Sequence, residues 1–221
     1  MEPNEREVTT ALEIVKALMD KGLEKELAQN GYNWSDNEGE EAMEELGVRY
    51  NCGATKFVLT CKALENWVIK LSYDVDEAFA EETGITDFCG READNYSLAI
   101  MKGLDECFAS TWFAGIVEGH KVYLQEKVDC DNKVFSERFR EYVEVNIASE
   151  DWDECDIVEE AECLEDSCRV EAVFADSLPF GRLAELIDFC EDHEINDLHE
   201  CNYGIRPDGS YVIIDFSGYS C

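Results

Sequence analysis

NDLHECNYGIRPDGSYVIIDF, Asn196 to Phe216, is the stretch whose reading decides the fold. Two short runs, Tyr203 to Ile205 and Tyr211 to Asp215, flank Arg206-Pro207-Asp208-Gly209. Pro and Gly suit the turn positions they would occupy there, so the spacing predicts a β-hairpin. Pairing sets the ends of two antiparallel strands side by side. Asn202 precedes the first strand and Asp215 ends the second, so two oxygen-bearing side chains are expected at one end of the hairpin. Asp197 ends a loop just upstream. Only five residues, Ser217 to Cys221, follow Phe216.

Moving outward, Pro179 to His193 reads as a helix, with Pro179 in its first turn and a stripe of Leu183, Leu186, Ile187 and Cys190. Residues 129 to 176 are mostly helical in texture and very acidic. Between Glu150 and Glu171 stand eleven acids and one Arg, the pattern of a solvated face. Further upstream, VRYNCGATKFVLTCKALENWVIKLSY (Val48 to Tyr73) is rich in β-branched and aromatic residues. Breaks at Asn51-Cys52-Gly53 and at Ala63 to Asn66 divide it into three antiparallel strands. Residues 88 to 104 return to helical spacing. Thr111 to Val117 and Lys121 to Val128 then form two further strands about Glu118-Gly119-His120. At the front, Val8, Leu12, Val15, Leu18 and Leu23 predict one amphipathic helix from residue 5 to about 29, with Gly31 just beyond. Residues 33 to 45 read as a loop and a short helix. The expected class is α+β: a helical extension over 1–45, a sheet-bearing lobe over 46–128 and a helical lobe ending in the hairpin over 129–221.

Composition sets limits on partners. The 221 residues include 52 acids against 18 Lys and Arg, a net charge of −34. Such a surface repels nucleic-acid phosphates and anionic membranes and favours cations or basic proteins. A phosphate-binding pocket here must concentrate its few cations or recruit metal. No stretch has the 18 consecutive apolar residues of a membrane span, and MEPNEREVTT does not read as a signal peptide. The expected setting is cytoplasmic, with the eleven cysteines reduced and mostly small buried apolar residues. Cys190, His193, His199 and Cys201 could in principle ligate zinc, although their spacing matches no common site. His193 also suits a helix C-terminus, and His199 suits a role orienting the Asp197 loop.

Asp197, Asn202 and Asp215 have two readings. They suit turns and caps. They also make a parts list for phosphoryl transfer: Asn202 and Asp215 as hard oxygen ligands for Mg²⁺, and Asp197 as acceptor for a hydroxyl proton. Asp197-Leu198-His199-Glu200-Cys201-Asn202 followed by Val212-Ile213-Ile214-Asp215-Phe216-Ser217-Gly218 resembles the catalytic and metal-binding segments of the protein-kinase-like superfamily. It is closest to the aminoglycoside-phosphotransferase-like branch and to short bacterial and phage kinase-like proteins. The resemblance implies a two-lobed fold with an antiparallel N-lobe sheet and a reduced helical C-lobe, binding ATP and Mg²⁺. It implies a phosphate-holding lysine on the third strand, which Lys70 supplies. It implies an acid on the next helix to hold that lysine, for which Glu92 is the best placed and Glu81, Glu82 and Asp94 are rivals. It also implies an adenine-contacting backbone at Gln125, Glu126 and Lys127.

The chain departs from the pattern in several places. The phosphate-covering turn, Asn51 to Lys56, has the single glycine Gly53, with Lys56 as a possible extra cation. Asn196 stands where the family usually has Gly or Arg, and Ser217 where it often has Gly. An activation loop and substrate lobe after Phe216 are not expected. Two function classes follow: a compact kinase-like nucleotide-binding protein, acting as a phosphotransferase on a hydroxyl where active; or a non-catalytic acidic inhibitor or adaptor, pseudokinase or nucleic-acid mimic, such as a phage-encoded anti-defence protein, that binds a basic partner.

Overall fold

The computed structural model describes residues 1–28, 34–36 and 38–218; Gly31 and Tyr219 to Cys221 lie outside them. The chain is α+β and folds as two compact units. The first comprises Met1–Ser97 with Ser110–Lys127, and the second Leu98–Ala109 with the chain from Val128 onward. No helix among the described residues is long and apolar enough to cross a membrane.

The first unit is built on a five-stranded antiparallel sheet. Strands β1 (Val48–Cys52), β2 (Lys56–Cys61), β3 (Trp67–Ser72), β4 (Thr111–Val117) and β5 (His120–Glu126) lie in the order β1-β2-β3-β5-β4. The three-strand reading of Val48 to Tyr73 holds, but Asn51 and Cys52, expected in the first break, pair with Val58 and Phe57 as the end of β1. His120 was expected in the loop; instead it opens β5 and pairs with Val117. Glu118 and Gly119 both take left-handed backbone (φ 51° and 92°), so the turn needs only two residues.

Alternation gives the sheet two unlike faces. Phe57, Leu59, Trp67, Ile69, Leu71, Val122 and Leu124 form a buried apolar cluster with Ala11, Val15 and Leu18 of α1 (Glu5–Met19). Asn4 caps α1 by accepting from the Arg6 and Glu7 backbone N–H groups, while the Glu7 carboxylate accepts from Asn4 N–H. The single helix expected to reach residue 29 is shorter: α1 stops at Met19, the chain turns at Gly22 (φ 99°), and a one-turn α2 (Glu24–Leu27) follows. The turn allows Leu23 and Leu27 to be fully buried. Helix α3 (Glu38–Glu45) adds Ala42 and Met43 to the same cluster. Helices α1, α2 and α3 therefore share the sheet's core. Between β3 and β4 come α4 (Glu77–Thr83), which has no apolar stripe and was not read from the sequence, and α5 (Phe88–Lys102).

The second unit is mainly helical: α6 (Asn132–Asn146), α7 (Glu154–Glu162), α8 (Asp166–Phe174) and α9 (Phe180–Asp192), then the hairpin of β6 (Tyr203–Ile205) and β7 (Tyr211–Ile213). Pro179 lies just ahead of α9 as its cap residue rather than in its first turn. The Tyr203 ring is fully buried, 5.3 Å from Phe135 and 6.0 Å from Phe139 between centroids. Residues 98–109 join this unit because Phe108 packs on Phe189 and Phe216 and Ala109 N–H bonds Ile213 O.

Because Leu18 is wholly enclosed between α1 and the sheet, Leu18→Ala is expected to cost about 2–5 kcal/mol. Urea unfolding measures this as a lower midpoint at unchanged slope. A cost under about 1 kcal/mol would make the helix a peripheral addition.

Candidate functional site

Lys70 sits mid-β3 on the face opposite the apolar cluster. Its cross-strand partners are Val58 and Tyr123, and Val68 pairs with Gln125. Lys56 opens β2 opposite Ser72 on the same face. Helix α5 brings Glu92 to both lysines. Lys70 Nζ lies 2.7 Å from Glu92 Oε2, and Lys56 Nζ lies 2.8 Å from Oε1. Glu92 is fully buried, and the lysine side chains are only 6% and 4% exposed. Gln125 completes the group: its Oε1 accepts from Lys70 Nζ at 3.1 Å, and its Nε2 donates to Thr111 Oγ1 at 3.0 Å. Of the rival acids, Glu81 and Glu82 are exposed on α4, and Asp94 is exposed on α5.

Charges taken out of water are costly unless paired and hydrogen-bonded, and an apolar cluster of similar volume is often as stable or more so. Here both ammonium groups are paired on the one buried carboxylate. The arrangement also shows what Lys56 does: it is a member of the buried group rather than a flexible turn cation. Gly53 is exposed, with open space around its Cα and its N–H bonded to Lys56 O at 3.0 Å.

The expected adenine-facing backbone is differently employed. Glu126 N–H donates to Ser110 O and Lys127 N–H to Asn66 O, both at 2.8 Å. The Glu126 carboxylate is buried and accepts from Ser110 N–H at 3.2 Å. Neither N–H is open to a base, because strand pairing and the Ser110 turn already claim both.

In the second unit the Asp197 loop is tightly specified. Asp197 is exposed and adopts left-handed backbone (φ 61°). Its carbonyl accepts from His199 N–H at 2.9 Å and from the Asn202 amide Nδ2 at 2.6 Å. Asp166, at the start of α8, accepts the N–H groups of Asp197 (3.1 Å) and Leu198 (2.8 Å). Sequence reasoning missed Asp166, which lies in a long acidic run where each acid looks alike; no local signal separates it. His199 Nδ1 accepts from Cys201 N–H at 3.2 Å, so the histidine shapes the turn.

Strand register sets Tyr203 opposite Ile213, and Ile214 N–H bonds Asn202 O at 2.9 Å. Asn202 is thus one step from Asp215 across the hairpin end. Its Nδ2 is committed to Asp197 O. Asp215 Oδ1 accepts from Ser217 Oγ at 3.4 Å. Two hard oxygens suit Mg²⁺, which takes one or two protein ligands and keeps phosphate or water for the rest.

The zinc window behaves otherwise. The ten described cysteines are free thiols. Cys190 is buried in α9, where burial pushes its thiol far up, and His193 packs on Phe189 with ring centroids 4.4 Å apart. Among the described residues only His199, Glu200 and Cys201 converge, with ligand atoms within 4.8 Å of one another. These are consecutive residues of one 3-10 turn, and Cys201 Sγ already accepts from Asn132 Nδ2.

Comparison with protein-family models, curated proteins and solved structures finds no match to this chain.

Glu92→Gln removes the carboxylate that both lysines share and is expected to destabilise the first unit by about 3–5 kcal/mol, measured by chemical denaturation. Gly218→Ala tests the chain that follows Asp215. A Cβ there would lie 2.4 Å from Glu194 O, so a loss of about 1–3 kcal/mol is expected in the same measurement.

Proposed function

We propose that the protein is a kinase-like nucleotide-binding protein, with a sheet-bearing N-lobe and a reduced helical C-lobe, that binds ATP with Mg²⁺. The observation that carries this reading is the buried Lys70–Glu92 pair, which joins the third strand to the helix that follows it. Buried, desolvated charge clusters gather at functional sites. In the first unit Lys70 and Lys56 are the cations offered to phosphate oxygens; in the second, Asn202 and Asp215 are the oxygens offered to a metal. Mg²⁺ supplies neutralisation of charge on the phosphates. Asp197 is exposed on a loop fixed by Asp166 and Asn202, which suits a carboxylate that orients or deprotonates an acceptor hydroxyl. The engaged N–H groups of Glu126 and Lys127 place the weight of recognition on the phosphates rather than the base.

A second reading is favoured by the charge of −34. A non-catalytic protein of this kind would act as an inhibitor or adaptor, its acidic face docking on a basic partner.

Thermal unfolding with and without ATP and Mg²⁺, beside Asp215→Ala, decides between the two. Ligand at 100 times its dissociation constant stabilises a fold by about 2.7 kcal/mol. The nucleotide reading requires a metal-dependent rise in Tm that Asp215→Ala abolishes. No rise at millimolar ATP would overturn it and leave the acidic-partner reading.

A further inference from the structure

Glu92 can meet two lysines only if α5 holds one position and one rotation on the sheet. The residue that precedes the helix is placed to set both. Asp87 Oδ1 accepts from Ser72 Oγ at 2.7 Å and from Gly90 N–H at 2.9 Å. Asp87 Oδ2 accepts from Tyr123 OH at 2.6 Å and faces Lys121 Nζ at 3.1 Å. Ser72 also accepts from Cys89 N–H at 2.9 Å. The anchors on the sheet are not arbitrary ones. Ser72 lies two residues after Lys70 on β3, and Tyr123 on β5 is the cross-strand partner of Lys70. One carboxylate thus ties the first turn of α5 to the strand that carries Lys70 and to the strand beside it.

Gly90 belongs to the same device. A Cβ at this position would lie 2.6 Å from Asp87 Oδ2 and 2.9 Å from Tyr123 OH. In an ordinary helix interior, replacing Gly with Ala is stabilising. Here the missing side chain is what lets the helix settle onto the Asp87–Tyr123 contact. The charge state agrees with the geometry: burial raises the Asp87 pKa, but bonds from Tyr123, Ser72, Gly90 and Lys121 outweigh it and hold the carboxyl below its ordinary value.

We infer that Asp87 is a positioning residue, a latch that seats α5 on β3 and β5 so that Glu92 engages Lys70 and Lys56. The latch rests on the nucleotide reading for its purpose but not for its geometry, so it is tested without nucleotide.

Three variants separate latching from simple helix capping. Asp87→Asn keeps a side-chain oxygen able to cap Gly90, since Asn caps about as well as Asp, but loses the charge and one acceptor. Tyr123→Phe leaves the cap untouched and removes one anchor. Gly90→Ala keeps every polar group and wedges the contact apart. For each, hydrogen exchange along α5 and the acylation rates of Lys70 and Lys56 are read by mass spectrometry, with exchange in α1 as the measure of global stability. A bond to a charged acceptor is strong enough that its loss should speed both α5 exchange and lysine acylation about tenfold, with α1 unchanged. Unchanged α5 exchange and acylation in Tyr123→Phe and Gly90→Ala would overturn the latch. So would a change confined to Asp87→Asn, because the contacts with Tyr123 and Gly90 would then seat nothing. Where Asp87→Asn unfolds the unit and α1 exchange rises too, the other two variants decide. A parallel Tm series with ATP and Mg²⁺ keeps the two ideas apart: no nucleotide shift in the unaltered protein sinks the nucleotide reading, and the labelling result stands alone.

Discussion

One buried carboxylate disciplines the first unit. Glu92 lies out of water with two lysine ammonium groups against its oxygens, and that arrangement tolerates little error. Lys56 and Lys70 come from different strands, so they reach the same acid only in the observed register, with Lys56 opposite Ser72 and Val58 opposite Lys70. A slip of one residue would send Lys70 to the apolar face and Ile69 or Leu71 to the polar one. Strand register, the seating of α5 and the burial of charge are therefore one constraint expressed in three places.

The division of labour between the two faces of the sheet follows from it. The polar face spends its area on charges that contribute little net stability. The opposite face must supply the hydrophobic stabilisation, and α1, α2 and α3 cover it with Ala11, Val15, Leu18, Leu23, Leu27 and Met43. This gives a physical reason for the N-terminal helices to be part of the core rather than an addition to it. A lone sheet with one apolar face needs a partner layer.

The strands were legible because β-branched and aromatic runs with Gly, Asn and Pro breaks are local signals, and the hairpin after Asn202 was legible for the same reason. Lys70 and Glu92 were proposed through a resemblance, and Asn202 and Asp215 from the hairpin spacing; the structure seats Glu92 against Lys70 and Asn202 one step from Asp215. What escaped was tertiary. The break after Met19 depends on how Leu23 and Leu27 pack, which periodicity in one helix does not reveal. Helix α4 has no buried residue and so left no stripe to read. Asp87 and Asp166 each hold backbone or side-chain donors from distant segments, and in a chain with 52 acids nothing in their neighbourhood distinguishes them from solvated ones. That the Glu126 and Lys127 N–H groups bond Ser110 O and Asn66 O was not legible either, because those partners lie outside any local pattern.

The net charge and the buried lysines bear on different steps of binding. A charge of −34 sets up a field that opposes the approach of any polyanion, nucleotide included, and salt screens that field over about 10 Å at 0.1 M. The field acts on the rate of encounter. Affinity is decided at contact, where a dry site makes each ammonium group and each metal ion count for far more than surface charges do. On the nucleotide reading, then, the acidic surface and the Lys56–Glu92–Lys70 group are not in conflict. The surface slows arrival and selects for nucleotide already carrying its metal, because the complex bears less negative charge than the free polyphosphate.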